Sequence, residues 1–513
     1  MYKEKKYLVM LSALLLSLSS VFAQTTFTIE SESDWNNALE KSEGVSVKDG
    51  RVVPDGKTGL IRSKLQRYNA KQKLQSITVG QSPVWENWEP LKSLGPANLG
   101  NAPVMVCVGP DNYWMFGRYD GARNSKNFKP QTAKLDGFDV PLQTTPFKNQ
   151  YNAPGGLMPS LGGYHAWQSR DMLTWVHHGP VSESYSKWVT TAEYVDGKLY
   201  LYYDYPNDMD PYLYIDDNLF DGKPGKNMGL VFKDPSYGSD CAVIRSLDGK
   251  FHIISEDWSP ISANNHSWDS PLASHAVSKD GIKDFKILPP AVDYRTTPTG
   301  KIEAFKMHSN QNPASYPQSP FPGRLPAREY KFAKYEVHEP KQDAYGDWAS
   351  ISIGGQYYLF GDYHPSSARK GSSGMSTAWF TAASIDEPFK FCGNIGKGHP
   401  DPDIGFAEGR FYLISQTDDF VSDGPWVEKV EVRIGVDTTN DGESDSWSDW
   451  QEIKEKYDYI KGFSKQVKRI PAAMDVSTLP EGYGFCFELR LEDTTENKSK
   501  PIIDSITMTI GLQ

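Results

Sequence analysis

The stretch DGKLYLYYDYP at residues 196–206 indicates the fold class, because a tight turn leads directly into an aromatic-rich strand. Four equivalents recur along the chain: GPDNYWMFGRYD (109–120), DGKFHIISEDW (248–258), GGQYYLFGDYH (354–364) and EGRFYLISQTD (408–418). A small-residue or apolar strand precedes each copy, so each unit reads as a β-hairpin whose turn supplies a residue with positive φ. Five such units predict an all-β fold with a five-bladed β-propeller. An array of β-sandwiches with coincidental hairpins is the alternative.

A second element recurs after three of the hairpins, where an outer strand would lie. Its copies are SRDMLTW (169–175), SKDGIKDF (278–285) and SIDEPF (384–389). The spacing between hairpins is irregular, which long insertions after the first and third units explain. Such loops often build a binding face.

The chain divides into four predicted regions: a signal peptide (1–23), an N-terminal strand segment (24–95), the propeller (96–425) and a C-terminal region (426–513). The last region alternates polar and apolar residues in runs that predict paired strands. It is predicted to form an accessory β-sandwich, which N-terminal strands could complete because the ends of closed folds often lie close together.

The N-terminus has the pattern of an export signal. Lys3, Lys5 and Lys6 precede a short apolar run, and Val21-Phe22-Ala23 forms a small-residue cleavage site before Gln24. The sequence therefore predicts a periplasmic or secreted mature protein. A short membrane anchor is the alternative, and no later stretch is long enough to predict a membrane span.

The amino-acid composition argues against a nucleic-acid partner and is compatible with a carbohydrate partner. The net charge of the 513 residues is −11, and no block of Lys and Arg interleaves with aromatics, which argues against nucleic acid. Aromatic residues make up 13% of the chain, with 14 Trp and 28 Tyr. Aromatic faces stack on sugar rings, so this composition fits an oligosaccharide or polysaccharide partner. The strand preference of aromatic residues explains the same excess.

The repeated hairpins and the S-x-D-x-x-x-W strand resemble those of the five-bladed propeller glycoside hydrolases, which include families 43, 32 and 117. The resemblance covers roughly residues 95–420. It implies an active site at the axial end where the innermost strands begin. It also implies three acidic residues from different blades, which serve as base, as pKa modulator and as general acid.

Carried over by position, the resemblance assigns Asp240 in SDCAVI as modulator and Asp347 in GDWASI as general acid. Asn101 stands where the base would be, which departs from the family pattern. The segment GHPDPDIGF supplies Asp401 and Asp403 instead, and we choose Asp403 as base because it directly enters its strand. For each single Asp, a turn or strand-cap role is the alternative.

Other polar and aromatic residues are predicted to bind substrate: Arg118, Arg245, His275, Tyr203, Trp348, His364 and His399. An arginine fork can pair with a carboxylate or sulfate on the sugar. His165, His177 and His178 flank the SRDMLTW strand, and the segment HSWDSPLASHAVS holds His266 together with His275. No H-x-x-x-H spacing occurs, so the sequence does not support a catalytic zinc.

The sequence predicts no required cofactor and offers one candidate loop for a structural calcium. The stretch DTTNDGESD (437–445) resembles a calcium loop and would use Asp437, Asp441 and Asp445. It departs from the pattern at Thr439, and Ser448 stands where such loops end in Glu. An acidic hairpin turn is the alternative.

The sequence therefore predicts a glycosidase that trims oligosaccharides of an acidic plant or algal polysaccharide. A lyase or dehydratase that forms an unsaturated uronic acid is the first alternative, because Arg with His or Tyr suits proton abstraction beside a carboxylate. A non-catalytic carbohydrate-binding propeller is the second.

Overall fold

A computed structural model gives the architecture of the chain. It describes residues 24–85, 88–90, 95–96, 99, 102–118, 131–135, 138–143, 148–151, 163–183, 188–203, 211–234, 240–257, 270, 272–293, 296, 306–307, 335–336, 343–364, 376–395, 401–415, 421–423, 427–492 and 500–511. The predicted signal peptide (1–23), Asn101, His266 and His399 lie outside these ranges.

The N-terminal part holds one short helix, α1 (Glu32–Ala38). Ser31 caps it: its hydroxyl accepts a hydrogen bond from the Asp34 amide (3.2 Å), and the Asp34 carboxylate accepts one from the Ser31 amide (3.0 Å). The strands of this part are β1 (Thr25–Ile29), β2 (Leu39–Glu43), β3 (Val45–Lys48), β4 (Arg51–Pro54), β5 (Thr58–Ser63), β6 (Gln66–Gln81) and β7 (Glu89–Pro90).

The middle of the chain is a succession of strands. They are β8 (Val104–Gly109), β9 (Asn112–Arg118), β10 (Gln131–Leu135), β11 (Phe138–Gln143), β12 (Lys148–Tyr151), β13 (Tyr164–Ser169), β14 (Thr174–Pro180), β15 (Val189–Val195), β16 (Lys198–Tyr203), β17 (Tyr212–Asp216), β18 (Lys226–Leu230), β19 (Ala242–Arg245), β20 (Phe251–Glu256), β21 (Ala273–Ser278), β22 (Lys286–Ile287), β23 (Lys306–Met307), β24 (Tyr335–Glu336), β25 (Ala344–Ile353), β26 (Gln356–His364), β27 (Ser376–Ala382), β28 (Lys390–Ile395), β29 (Asp403–Ala407), β30 (Arg410–Ile414) and β31 (Val421–Asp423).

The C-terminal part continues in strands. These are β32 (Val430–Asp437), β33 (Ser446–Trp447), β34 (Gln451–Ile453), β35 (Lys456–Tyr459), β36 (Gln466–Ile470), β37 (Ala472–Met474), β38 (Gly482–Glu492) and β39 (Ile503–Gly511). The described chain is thus nearly all β, as predicted.

The middle strands form successive sheets in a propeller-like arrangement, antiparallel except where β12 pairs with β14 and β36 pairs with β25. The sheet orders are β8-β9-β13-β14, extended by β12-β11-β10; β15-β16-β17-β18; β19-β20-β21-β22; β25-β26-β27-β28, extended by β36-β35; and β29-β30-β31-β7. The first strands of these sheets contact one another in the cycle β8, β15, β19, β25, β29 and back to β8. These five inner strands therefore form a ring around a central axis. Strand β7, from the N-terminal part of the chain, is the outer strand of the last sheet.

The hairpin turns have the backbone that the sequence predicts. Positive φ angles occur at Asp111 (57°), Asp196 (49°), Gly249 (86°) and Glu408 (50°), and at Gly354 (61°) in the fourth hairpin. These turns lie between the first and second strands of their sheets, at the end opposite to where the inner strands begin. Asp and Gly tolerate this left-handed conformation, which explains their recurrence.

The two ends of the chain build one twelve-stranded sheet together. Strand β1 pairs with β39, β5 pairs with β38, and the long β6 pairs with β38 through its first half and with β39 through its second. A separate apolar core, which includes Trp35, Phe487 and Met508, lies against this sheet. The C-terminal strands therefore pair with N-terminal strands and not only among themselves.

A C-terminal segment also reaches the inner strands of the propeller-like part. Lys465 is 2% exposed, and its ammonium donates a hydrogen bond to Oγ1 of Thr191 on β15 (2.6 Å). Ser464 bonds the carboxylate of the buried Glu193. Gln466 donates to the carbonyl of Arg245 (2.8 Å). Residues 464–466 therefore close the inner ring at the end away from the strand starts.

Candidate active site

The backbone takes the same uncommon conformation where four inner strands begin. Ala102, Asp240 and Asp401 each lie two residues before their strand, with φ of 49°, 52° and 52°. Asp347 has φ of 51° and lies at a bulge within β25, between the residues that pair at Gly346 and Ala349. Such left-handed residues are uncommon outside Gly and concentrate at functional sites. Three of the four are aspartates.

Carboxylates converge at this end of the ring. One oxygen each from Asp347, Asp362 and Asp401 lies within 4.8 Å of the others. Asp362 belongs to β26, and its Oδ1 accepts a hydrogen bond from the Asp401 amide (2.9 Å). Asp362 is buried, whereas Asp347 and Asp401 are half-buried and open toward solvent. We call these three residues the acid cluster.

Asp240 lies beside the acid cluster through the backbone. Its carbonyl accepts a hydrogen bond from the amide of Trp348 (3.0 Å), the residue that follows Asp347. Asp240 is half-buried, like Asp347. The starts of β19 and β25 are therefore joined, and a fourth aspartate borders the same opening.

A cation and two aromatic rings lie at the same end of the ring as the acid cluster, since Arg118 ends β9 and the Tyr164 hydroxyl donates to the carbonyl of Ala102 (3.4 Å). The guanidinium carbon of Arg118 lies 4.2 Å from the centre of the Trp188 ring and 5.9 Å from that of Tyr164. Burial raises the pKa of the Tyr164 phenol, with Arg118 acting to lower it and Asp401 to raise it. The Tyr164 phenol is therefore influenced by both the Arg118 cation and the Asp401 carboxylate.

Two further predicted binding residues lie on strands that end near the acid cluster. His364 follows Asp362 by two residues on β26, so both side chains are on one face of the strand. His364 is half-buried. Tyr203 ends β16 and is buried, and its hydroxyl donates to Oδ1 of Asn227 (3.2 Å).

Asp403, our choice of base from the sequence, does not belong to this opening. Its carboxylate is buried and accepts a hydrogen bond from the Met105 amide (2.5 Å), which ties β29 to β8. Burial raises the pKa of Asp403, and Lys465 opposes that rise. Asp401, the left-handed residue two positions earlier, has the location equivalent to Asp240.

Trp348 and Arg245 also lie in places that do not fit substrate contact. The Trp348 ring is 1% exposed and packs between Tyr345 and Phe380. Arg245 ends β19, so the strand separates it from Asp240, and it donates to the carbonyl of Gly462 (3.1 Å).

His275 is buried in the third sheet, where its Nε2 lies 2.9 Å from Nδ1 of His252. It is bonded within the sheet and not to the acid cluster. The similar pair of His165 Nδ1 and His177 Nε2, 3.0 Å apart, lies in the first sheet. His178 instead bonds Gln168 (3.2 Å).

Sequence reasoning missed Asp362, Tyr164 and Trp188. Asp362 had a readable signal, because FGDYH (360–364) places it at the position that Arg118 has in FGRYD (116–120). Tyr164 and Trp188 flank stretches with no distinctive local pattern. Their position depends on how neighbouring sheets pack.

The predicted calcium residues do lie together. Oxygens of Asp437, Asp441 and Asp445 are within 4.8 Å of one another. The Asp437 carboxylate also accepts amide hydrogen bonds from Asn440 (2.6 Å) and Gly442 (3.0 Å). The set of three oxygen donors fits a hard cation, and it also fits the acidic turn that those hydrogen bonds close.

The described residues include no helix long and apolar enough to cross a membrane. No family model and no curated protein matches the chain. Solved structures do resemble its fold, each at low identity. A thermostable family-43 glycoside hydrolase is 11% identical, with 72% of this chain and 92% of that one covered, at a TM-score of 0.35.

An arabinanase from Bacillus subtilis is 12% identical, with 64% of this chain and 94% of that one covered, at a TM-score of 0.35. An endo-arabinase from Bacteroides thetaiotaomicron is 9% identical, with 66% and 98% covered, at a TM-score of 0.37. Likenesses of this size do not assign an activity, so the residues of the site carry the functional argument.

Proposed function

We propose that the protein is a glycoside hydrolase that cleaves oligosaccharides at the acid cluster. The observation that carries the proposal is the convergence of Asp347, Asp362 and Asp401 at the end of the ring where inner strands begin. Glycosidases typically need two carboxyl groups on either side of the scissile bond. The cluster, with Asp240 beside it, offers that pair from different strands.

In the proposed reaction, Asp347 gives its proton to the glycosidic oxygen as the bond to the anomeric carbon breaks. The Asp401 carboxylate attacks that carbon, because oxygens of Asp347 and Asp401 lie within 4.8 Å of each other. This spacing is nearer to the about 5–5.5 Å of retaining enzymes than to the about 6.5–9.5 Å that holds a water in inverting ones. Water then cleaves the glycosyl–Asp401 bond and gives its proton to Asp347, which releases the sugar and restores both carboxyl groups. Asp362 holds the Asp401 backbone and adds a third negative charge. Repulsion among carboxylates this close favours keeping one proton in the cluster.

Arg118 supports an anionic substrate such as a uronate- or sulfate-bearing sugar. Its Nε is buried and has no hydrogen-bond partner among the residues that the structure describes. A guanidinium offers a planar fork to a carboxylate or sulfate. We propose that Trp188 stays against one face of Arg118 while the substrate anion bonds its edge.

The lyase or dehydratase alternative would need a base beside Arg118, and Tyr164 is the neighbouring group. Burial raises the pKa of its phenol, which disfavours the phenolate that would remove a proton. This observation favours hydrolysis. A non-catalytic binding role remains the second alternative.

We further propose that the fold is a five-bladed propeller and that the protein is exported. The five sheets would be five blades of one propeller, which Glu89–Pro90 closes at the last sheet. Export would remove residues 1–23, so the mature chain would begin at Gln24 in the periplasm or outside the cell. N-terminal sequencing of the exported protein tests this, and a protein that starts at Met1 would refute it.

We also propose that Ca²⁺ binds Asp437, Asp441 and Asp445. Micromolar to millimolar Ca²⁺ is then expected to raise the melting temperature of chelator-treated protein, and Asp441→Asn is expected to abolish the rise. An equal rise in the variant would refute the site.

Product analysis tests the proposed activity directly. The protein is incubated with a panel of neutral, uronate-bearing and sulfated oligosaccharides, and products are read by mass spectrometry. Hydrolysis adds one water across the cleaved bond. Elimination adds none and creates an unsaturated sugar with ultraviolet absorbance, and dehydration removes one water. Either of those results, or binding without turnover of any substrate, would refute the proposal.

A further inference from the structure

A second site lies at the opposite end of the propeller-like part, between the sheet β19–β22 and the sheet β25–β28. Nδ1 of His252 on β20 and Nε2 of His275 on β21 are 2.9 Å apart, and both side chains are buried. Asp386, in the turn between β27 and β28, brings a carboxylate oxygen within 4.8 Å of both nitrogens. Three ligand atoms from two sheets thus converge.

We propose that His252, His275 and Asp386 bind one transition-metal ion of the zinc class, which joins the two sheets. The proposal does not depend on the glycosidase assignment. His252 lies near the start of β20, whereas the acid cluster lies beyond the other end of the inner strands. The two sites are therefore distinct.

The chemistry of the ligand set favours zinc over calcium or magnesium. Two imidazole nitrogens and one carboxylate are the donors of many three-ligand zinc sites, whereas calcium and magnesium prefer oxygen ligands. Both imidazoles are buried, and their facing nitrogens are the atoms that the zinc would bind.

The distance between the two imidazole nitrogens needs to change little for both to bind one zinc ion. With zinc–nitrogen bonds of about 2.0–2.1 Å, tetrahedral geometry places two nitrogens about 3.3 Å apart. The observed 2.9 Å therefore widens by a few tenths of an ångström on binding. Asp386 is exposed, so its carboxylate can turn toward the nitrogens.

A groove gives the ion an entry path and a fourth position. Its volume is about 430 Å³, and its lining includes Asp248, His252, Tyr357 and Asp386. Asp248 pairs with Lys250, which leaves Asp386 as the carboxylate for the metal. A water in the groove would complete the tetrahedron, as in zinc sites with three protein ligands.

The first sheet offers an internal comparison. His165 and His177 form a buried pair with nearly the same spacing, 3.0 Å. No third ligand joins that pair among the described residues. We therefore expect one zinc per chain, at the His252 pair.

The test uses the mature protein after chelation, titrated with Zn²⁺ in competition with a chromogenic chelator. We expect one Zn²⁺ per chain and at least about tenfold weaker binding by Asp386→Asn, since even outer ligands matter by that factor. Glu387→Gln, at the neighbouring exposed carboxylate, is expected to bind like wild type. Circular dichroism checks that the variants fold.

Co²⁺ supplies an independent spectroscopic readout. The wild type is expected to show the intense visible bands of tetrahedral Co²⁺, and His252→Gln is expected to lose them while His165→Gln keeps them. Absence of stoichiometric Zn²⁺ binding by the wild type would overturn the proposal. So would unchanged affinity in Asp386→Asn, or cobalt bands that depend on His165 and not on His252.

Discussion

The amide of Asp401 donates a hydrogen bond to Oδ1 of Asp362 across 2.9 Å. This contact joins the segment just before β29 to the last part of β26 and fixes the start of one sheet against its neighbour. It also explains why Asp401, and not Asp403, faces the opening: Asp403 turns inward to the Met105 amide. The geometry of the acid cluster therefore depends on packing between sheets.

Lysine substitutions at Arg118 and Arg245 compare an arginine that we propose binds substrate with one that bonds the backbone. Arg118→Lys is expected to raise KM by about tenfold or more on an anionic substrate, because a lysine cannot make the two-point contact of a guanidinium. Arg245→Lys is the matched control and is expected to leave KM unchanged, since Arg245 bonds Gly462 at the other end of β19. Steady-state kinetics of both variants provide the measurement.

Two other results for these arginine variants would contradict the proposed substrate site. If Arg245→Lys raises KM while Arg118→Lys behaves as wild type, the substrate binds at the other end of the ring. A neutral oligosaccharide as the best substrate, with no effect of either variant, would contradict the anionic-substrate proposal.

Lys465 stabilises the inner ring through charge. Burial raises the pKa of Glu193 and of Asp403, and Lys465 opposes the rise in both. Lys465→Met would remove a buried cation that favours ionisation of both groups, and it would leave Oγ1 of Thr191 without that donor. The expected loss is about 1–3 kcal/mol in the free energy of unfolding, measured with urea at pH 7.

The neighbouring Lys461 is exposed and gives the control for this prediction. Lys461→Met is expected to change the free energy of unfolding by less than about 0.5 kcal/mol. Equal stability of the two variants would show that the buried charges do not depend on Lys465.

The His177 imidazole predicts a loss of stability in mild acid. Burial lowers its pKa well below 6.5, with His165 and His178 adding to the effect. The folded state therefore holds His177 neutral, and its contribution is complete above the unfolded pKa. It is lost as pH falls through about 6.5 toward the folded pKa, by about 1.4 kcal/mol between pH 7.5 and 5.5.

His177→Gln removes this titration and keeps a polar side chain. Urea unfolding of wild type and variant at both pH values measures the effect, and other titrating groups cancel in the comparison. The variant is expected to lose less stability on acidification than the wild type. Equal losses would mean that His177 does not govern this step.

The hairpins were predictable from sequence because their information is local. The turn residue with positive φ and the aromatic strand that follows it lie within one segment of about ten residues. Asp196 and Gly249 occupy the turns that this pattern predicts. The left-handed aspartates at the strand starts were predictable in part: the pattern identified Asp240 and Asp347 but chose Asp403 over Asp401.

Contacts between distant segments were not predictable in this way. Lys465 reaches Thr191 across 274 positions of the chain, and β6 pairs with β39 across more than 400. Asp386 belongs to the repeated S-x-D element, which forms the turn between β27 and β28, yet its approach to His252 depends on the packing of two sheets. Ligands from separate strands leave no spacing motif, which is why a search for H-x-x-x-H finds nothing here.

Turnover by aspartate variants tests the central claim, that the acid cluster is the site of catalysis. On any oligosaccharide that the wild type hydrolyses, Asp347→Asn and Asp401→Asn are each expected to lower kcat by about 10²–10⁴-fold with an unchanged melting temperature. Asp196→Asn is the control, because Asp196 has the same backbone conformation, with φ of 49°, but lies exposed in a hairpin turn at the other end of its strand. It is expected to retain wild-type turnover. If instead Asp347→Asn and Asp401→Asn both turn over substrate within about threefold of Asp196→Asn, the reaction occurs elsewhere and the account of the site is contradicted.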